Sequence, residues 1–308
     1  PPQKRQPLGS VHDTFSGDPM AAMLTSRSLP WRQLALASIL GAAFLASCAS
    51  AQTVAGTTSA GLFYEVSGSG EPIVFIHAFS LDRRMWEPQI AVFDGRFRVI
   101  RYDLRGHGKS VPPTAPYTGY DDLRALLDTL SIPRATLIGL SAGAELAINF
   151  AIAYPDRTTR LVLAAPGLGG YRVPPLPWAG PVFEAAAAGD AERAANLWAD
   201  TPIMALRTNR DASETLRELV LDNSRLWTYR RTEQPLSPPA VDRLAEVTCP
   251  ILIIVGGADL PHIKDIARLL ADRMAGAALV TIPGAGHIVN LDSPAIFNEA
   301  VEEFLRRH

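Results

Sequence analysis

Short apolar runs that alternate with longer amphipathic stretches are the feature of this 308-residue chain that most limits its possible folds. Such alternation is typical of a parallel β-sheet flanked by helices. Most of the runs are apolar throughout, as strands buried on both faces of a sheet are. We therefore predict an α/β fold with a mostly parallel central sheet. The predicted strands are 62–66, 73–77, 97–102, 136–140, 160–165, 251–256 and 278–282, and the predicted helices are 84–93, 119–130, 142–154, 263–274 and 294–306.

The alternation stops between residues 167 and 247, where proline-rich segments enclose predicted helices near 183–198 and 212–226. This interval is far longer than an ordinary connection between a strand and a helix. We predict an inserted helical cap at about residues 168–247. It is expected to lie over the carboxyl ends of the strands, where open α/β folds bind ligands.

The N-terminal region has the organisation of a bacterial export signal, with basic residues, an apolar stretch and then small residues. The apolar stretch is too short for a comfortable membrane span of about 20 residues. Residues 45–48 resemble a lipobox, in which Cys48 becomes the lipidated first residue of a lipoprotein, while the small residues that follow also fit ordinary signal cleavage. Both interpretations predict an extracytoplasmic protein, either attached to a membrane by its N-terminal lipid or periplasmic or secreted. The predicted organisation is an upstream extension at 1–22 that is not translated in the native protein, the export signal at 23–51, and one folded domain at 52–308.

Charge and composition exclude several classes of function. The 29 basic and 31 acidic residues give a net charge of −2, which provides no basic surface for nucleic acid, so we expect no nucleic-acid partner. Two cysteines are too few for a disulfide framework or a cysteine-rich zinc site. No phosphate-binding loop and no zinc-protease motif occurs in the sequence. We therefore expect no cofactor and no metal, and a small-molecule substrate.

The most informative motif is Gly-Leu-Ser-Ala-Gly at residues 139–143, between a predicted strand and a predicted helix. A serine on such a sharp turn, here Ser141, has its hydroxyl exposed as a nucleophile. The alternative is that Ser141 is only the N-cap of an ordinary helix. A serine hydroxyl is a poor nucleophile unless a base lies beside it and a third group orients that base.

Two further residues supply a base and an orienting acid. Asp259 and His287 each follow directly after a predicted apolar strand, as Ser141 does. We therefore predict that Ser141, Asp259 and His287 form a catalytic triad at one edge of the sheet. Taken separately, Asp259 is also compatible with a helix-capping carboxylate and His287 with a surface imidazole. Asp292, five residues after His287, is the competing candidate for the acid.

An oxyanion hole requires two backbone N–H groups that point to the developing negative charge. Ala142, directly after Ser141, is the first predicted donor, and Phe79, in the loop after the strand at 73–77, is the second. His77 is interpreted as a structural brace of this loop. Glu145 lies in the first turn of the next helix, where a negative charge suits the helix dipole, and is assigned no catalytic role.

Aromatic residues of the predicted cap are weak candidates for substrate contacts. They are also compatible with the cap's own small core, which is the commoner arrangement for a single aromatic side chain. The candidates are Trp178, Phe183, Trp198 and Trp227.

From residue 62 to residue 306 the chain resembles the α/β-hydrolase superfamily, and within it the small esterases and lactonases of the 3-oxoadipate enol-lactonase type. The segments that carry the resemblance are 77–86, 102–110 and 139–143, the Asp259 loop and the Gly286-His287 turn. The order Ser, Asp, His along the chain is the order of that superfamily. The resemblance implies the α/β-hydrolase fold, catalytic roles for Ser141, Asp259 and His287, and a structural turn at 105–110.

The sequence departs from the family pattern at two positions that are usually glycine. Ala78 stands in the oxyanion loop, where a positive φ would be strained for alanine. Ala144 follows the serine motif, where a methyl group is expected to be tolerated. An exported protein also fits poorly with an enol-lactone substrate, whose breakdown is ordinarily cytosolic.

The expected activity is hydrolysis of carboxylic ester or lactone bonds through an acyl-enzyme on Ser141. Related enzymes that use a carboxylate nucleophile, the haloalkane dehalogenases and epoxide hydrolases, are excluded by Ser141. Three alternatives stay open: a perhydrolase, a C–C bond hydrolase with the same triad, and a non-catalytic binding protein with the same fold.

Overall fold

The computed structural model of the protein describes residues 53–229 and 232–308. The predicted upstream extension, the export signal and the lipidation site at Cys48 lie outside these residues. Within the described part of the chain, every helix is too short or too polar to cross a lipid bilayer.

The described residues form one eight-stranded, mixed sheet. Its strands are β1 Val54–Thr57, β2 Phe63–Ser67, β3 Pro72–Ile76, β4 Arg98–Tyr102, β5 Ala135–Leu140, β6 Thr158–Ala164, β7 Ile251–Gly256 and β8 Ala278–Ile282. Their spatial order is β1-β2-β4-β3-β5-β6-β7-β8, with antiparallel pairing of β1 with β2 and of β2 with β4 and parallel pairing elsewhere. The predicted mostly parallel sheet and the α/β-hydrolase fold are therefore confirmed.

Nine α-helices of the described residues flank the sheet or lie in the insertion between β6 and β7. They are α1 Glu87–Phe93, α2 Gly119–Thr129, α3 Ala142–Ala153, α4 Ala179–Ala187, α5 Ala191–Ala199, α6 Ser213–Asp222, α7 Pro261–Arg273, α8 Val289–Asp292 and α9 Pro294–Arg307. The insertion between β6 and β7 contains α4, α5 and α6. The single helix predicted near 183–198 is two helices, because Gly189 adopts a φ of +78° and Asp190 caps the start of α5.

The central strands are buried on both faces. In β3, Ile73 and Phe75 belong to one apolar core, whereas Val74 and Ile76 belong to the other. Every residue of β5 and of β7 is buried as well. Burial of both faces requires side chains that are apolar at successive positions, which explains the continuous apolar runs of the sequence.

The insertion is tied to a turn that follows β4. The Arg225 guanidinium donates hydrogen bonds to the backbone oxygens of Gly106, Gly108 and Ser110, and Asn223 accepts one from the N–H of Gly108. Gly106 and Gly108 have φ angles of 77° and 46°, in the left-handed region that favours glycine. The segment 105–110 is therefore a tight turn held by the insertion.

Candidate active site

Ser141 lies on a strained turn between β5 and α3, with φ 56° and ψ −113°. A non-glycine residue in such a conformation costs about 1–3 kcal/mol and persists only where its surroundings enforce it. A Cβ atom on Gly143 would lie 2.2 Å from the backbone oxygen of Ile76, and one on Gly139 would lie 2.3 Å from the backbone oxygen of Gly143. Only glycine fits either position, which is the physical reason for the spacing of the motif.

The two departures from the family pattern have different outcomes. The methyl group of Ala144 is fully buried in the core, so this position accommodates it. Ala78 does not need the positive φ that would strain an alanine, because the left-handed residue of this loop is Ser80, with a φ of 66°. Ser80 is buried, and its hydroxyl accepts a hydrogen bond of 2.7 Å from the indole N–H of Trp198. The chain therefore turns two residues later than the sequence indicated.

Asp259 and His287 are in contact at the carboxyl ends of β7 and β8. Nδ1 of His287 lies 3.1 Å from each carboxylate oxygen of Asp259, and both side chains are buried. Because an ionised carboxylate only accepts hydrogen bonds, Nδ1 carries the proton of a neutral His287. The lone pair then resides on Nε2, which is buried and has no hydrogen-bond partner among the described residues. This is the form of histidine that acts as a general base.

Ser141 lies at the same edge of the sheet, because β5, β7 and β8 all run in parallel and the three residues follow their carboxyl ends. The structure thus brings Asp259 and His287 into a hydrogen bond and places Ser141 after a neighbouring strand. His287 Nε2 and the Ser141 hydroxyl are not hydrogen-bonded to each other. Catalytic hydrogen bonds are often long in the absence of substrate and tighten when substrate binds.

Asp292, the competing acid, serves another set of contacts. Its buried carboxylate accepts four backbone N–H groups, from Gly286, Arg207, Thr208 and Asn209. Burial raises the pKa of this carboxyl, but these hydrogen bonds outweigh burial and lower it. Asp292 therefore joins the turn that carries His287 to the helical insertion, while Asp259 contacts the imidazole.

Both ring nitrogens of His77 are used within the oxyanion loop. Nδ1 donates to the backbone oxygen of Ala78 at 2.8 Å, and Nε2 accepts from the N–H of Leu104 at 2.9 Å. Burial lowers the pKa of this imidazole, so it is neutral. His77 thereby fixes the loop that carries Phe79.

Phe79 and Ala142, the predicted oxyanion donors, both line a cavity of about 390 Å³. Ala142 is the first residue of α3, so its N–H is one of the four at a helix start that have no intrahelical acceptor. The cavity has a volume typical of small-molecule sites, about 300–1,000 Å³. The oxyanion loop and the serine turn therefore border a space large enough for part of a substrate.

The cap aromatics predicted as weak substrate contacts form a cluster with one another. The ring centroid of Trp198 lies 5.7 Å from that of Trp227 and 5.8 Å from that of Trp178. The ring centroid of Phe183 lies 6.3 Å from that of Trp227. Apart from Phe79, the described wall of the cavity comes from the loop after β4, from α2 and α3, and from residues 226, 229 and 232–235. These segments are far apart in sequence and share no pattern, so the sequence analysis missed them.

The described residues 53–229 and 232–308 contain no group of three or more His, Cys, Asp or Glu side chains that could hold a metal ion. The thiol of Cys249 is unpaired and partly buried. Burial raises its pKa to about 11, so it is protonated at neutral pH and is a weak nucleophile.

The sheet, the serine turn and the Asp–His pair together define an α/β-hydrolase architecture. A model of the alpha/beta hydrolase family matches residues 73–300, and the chain belongs to this family. The 3-oxoadipate enol-lactonase 2 of Acinetobacter baylyi is 29% identical over 250 residues, which cover 76% of this chain and 88% of the relative. The resemblance predicted from the sequence is confirmed.

Solved structures show the same similarity. The enol-lactonase from Burkholderia xenovorans LB400 has a TM-score of 0.69 and 27% identity, covering 82% of this chain and 100% of that one. A thermophilic esterase from Thermogutta terrifontis has a TM-score of 0.67 and 29% identity, covering 83% and 99%.

Proposed function

We propose that the protein is a serine hydrolase of carboxylic esters or lactones. The observation that carries the proposal is the buried Asp259–His287 pair, whose Nε2 has no hydrogen-bond partner among the described residues, at the edge of the sheet that presents Ser141. The similar proteins named enol-lactonase and esterase support this substrate class.

In the proposed reaction, the Ser141 hydroxyl oxygen attacks the substrate's carbonyl carbon while His287 Nε2 takes the hydroxyl proton. Asp259 stabilises the imidazolium that forms and keeps it oriented. The carbonyl oxygen becomes negative and accepts hydrogen bonds from the N–H groups of Phe79 and Ala142. The tetrahedral intermediate then collapses: the C–O bond to the leaving alcohol breaks, and His287 returns its proton to the alkoxide.

The acyl group remains on Ser141 as an ester, and a water molecule repeats the sequence. His287 takes a proton from the water as its oxygen attacks the ester carbon, and the new tetrahedral intermediate then breaks its bond to the serine oxygen, which receives that proton from His287 as the acid is released. For a lactone the alcohol stays attached to the acyl group, so the product is a hydroxy acid. The same residues therefore serve both substrates, and the shape of the cavity decides between them.

A panel of nitrophenyl esters of increasing acyl length, assayed beside several lactones, tests the proposal. We expect turnover of at least one series by the wild-type protein and loss of that turnover in Ser141→Ala. A perhydrolase would require hydrogen peroxide as acceptor, and a C–C hydrolase would cleave a diketone in place of an ester. Absence of ester and lactone turnover, with no covalent labelling of Ser141, would leave a non-catalytic member of the family.

A further inference from the structure

The described wall of the 390 Å³ cavity is rich in hydrogen-bond acceptors. It includes the carboxylates of Glu145 and Glu233 and the amide of Asn149. Arg105 is a cation in the same wall, but its guanidinium makes a bidentate ion pair with Asp122, at 2.6 and 2.8 Å. Its charge is therefore balanced outside the cavity.

Three glycines provide the space in which the carboxylates of Glu145 and Glu233 lie. A Cβ atom on Gly167 would lie 3.1 Å from Glu145 Oε2, and one on Gly169 would lie 3.2 Å from Glu145 Oε1. A Cβ on Gly119 would lie 2.7 Å from Glu233 Oε1. Larger residues at these positions would push the carboxylates aside, so the fold makes room for acid groups in this wall.

His107 adds a neutral acceptor to the wall. It is 8% exposed, and its Nδ1 lies 3.0 Å from the backbone oxygen of Arg105, so the proton is on Nδ1. Burial lowers the pKa of His107 to about 3, and Nε2 has no hydrogen-bond partner among the described residues. The Oδ1 atom of Asn149 is buried and unpartnered in the same way. A buried acceptor without a donor costs about 1–3 kcal/mol, which a ligand donor would recover.

Glu145 connects this wall to the reacting centre. Glu145 lies four residues after Ser141 in α3. A Cβ atom on Gly167 would lie 3.1 Å from Glu145 Oε2 and 3.2 Å from the backbone oxygen of Ser141, so both oxygens border the same small space. Burial, and next the charge of Glu233, raise the pKa of Glu145. The ionised form of such a carboxyl group is stabilised by a hydrogen-bond donor or a cation beside it and destabilised by a second carboxylate.

We propose that this cavity is a subsite for an uncharged or cationic hydrogen-bond donor, a hydroxyl or an amine, in the acyl or alcohol part of the substrate, and that Glu145 determines this specificity. The inference rests on the proposed hydrolase function and names the substrate class. It assigns Glu145 a role beyond the helix dipole.

The test uses two matched substrate series. In the acyl series, nitrophenyl esters of a linear six-carbon acid end in a methyl, hydroxyl, ammonium or carboxylate group; in the alcohol series, acetates of six-carbon alcohols end in the same groups. In one series we expect kcat/KM for the hydroxyl- or ammonium-ended substrate to exceed that for the methyl-ended one by roughly three- to tenfold. The series that shows the preference identifies the part of the substrate that occupies the cavity. The carboxylate-ended substrate tests the sign of the subsite's charge, and we expect it to be the poorest substrate of its series.

Glu145→Leu should abolish the preference, and the isosteric Glu145→Gln should reduce it for ammonium more than for hydroxyl. Glu299→Gln, the same chemical change at an exposed carboxylate of α9, is the matched control and should keep the wild-type ratio. A ratio unaffected by both Glu145 variants, no preference in either series, or a preference for carboxylate would overturn the proposal.

Calorimetric titration with a six-carbon amino alcohol tests the subsite independently of the proposed hydrolase function. Binding that is weakened in Glu145→Gln supports the subsite even if no ester is hydrolysed, in which case only the proposed function fails. Hydrolysis of methyl-ended esters without such binding and without the preference overturns the subsite alone.

Discussion

Ser131 and Ser141 have nearly the same backbone φ, 53° and 56°, although only Ser141 lies in the candidate active site. Ser131 is exposed in the turn after α2, where its N–H donates to the backbone oxygen of Asp128. Ser141 is held between two glycines that no other residue can replace. The two serines therefore share a positive φ and differ in their surroundings, so Ser131 is a control for Ser141.

Ser141→Ala should lower kcat by about 10⁶, because triad residues act as a unit. Ser131→Ala, the same change at a similar φ, should leave kcat unchanged. Both variants should have similar melting temperatures, measured by circular dichroism. Retention of more than a tenth of wild-type kcat in Ser141→Ala would show that another group is the nucleophile.

Asp259→Asn should reduce kcat by about 10⁴, because an amide donor next to Nδ1 leaves His287 in the wrong tautomer. Asp292→Asn should have the smaller effect on kcat, since the Asp292 carboxylate contacts backbone N–H groups. Steady-state kinetics of the two variants at the same pH decides between them. If Asp292→Asn is the more damaging change, the acid has been assigned to the wrong residue.

Asp292→Asn should instead lower the free energy of unfolding by about 2 kcal/mol at neutral pH, since an amide accepts these backbone N–H groups less well than a charged carboxylate. Because the pKa of Asp292 is lowered in the folded state, its contribution is present above the pKa of the unfolded chain, about 3.9, and is lost as the pH falls through the folded value. Denaturant unfolding should therefore show a difference between wild type and variant that shrinks below about pH 4. A difference that does not change with pH would contradict a role for the charge.

Ala78→Gly should not relieve strain, because the positive φ of this loop belongs to Ser80. The added backbone freedom should cost about 0.5–1 kcal/mol of stability, and kcat should not rise. The backbone oxygen of Ala78 accepts from the His77 ring and from the N–H of Leu81, so both contacts remain in the variant. An increase in kcat together with a higher melting temperature would show that Ala78 is strained after all.

Glu145→Gln should stabilise the protein at neutral and alkaline pH. Because burial and the facing Glu233 raise the pKa of Glu145 in the folded state, wild-type stability falls as the pH rises from the unfolded value, about 4.3, through the folded one. Glutamine carries no proton to lose, so the variant avoids this fall. Melting curves from about pH 4 to pH 8 should diverge with rising pH, whereas those of Glu299→Gln should follow the wild type. Parallel wild-type and Glu145→Gln curves would refute a raised pKa.

The sheet was predictable because buried parallel strands demand uninterrupted apolar runs, which β3, β5 and β7 have. Strand β1 was missed for the same reason, since its sequence Val-Ala-Gly-Thr lies exposed at the sheet edge and has no apolar run. The position of Asp259 and His287 followed from the rule that carboxyl ends of parallel strands share an edge. Their hydrogen bond needed the structure.

The cavity was beyond sequence analysis because its wall joins segments with no common period. Glu145 illustrates the difficulty: its place in the first turn of α3 indicates only a favourable dipole interaction. Burial is the main cause of its raised pKa, and the charge of Glu233 adds to it. Glu233 reaches the same wall because residues 232–234 pair with the backbone of Tyr117. Contacts made by such long loops leave no local pattern in the sequence.

Reaction with a fluorophosphonate, followed by peptide mass spectrometry, shows whether Ser141 is an activated nucleophile. An activated Ser141 should displace fluoride and form a phosphonyl ester on its own oxygen, whereas Ser131 should remain unmodified. Labelling should fall sharply in His287→Ala, which lacks the base. Modification of another residue, or hydrolysis of esters and lactones with Ser141 unlabelled, would show that Ser141 is not the nucleophile.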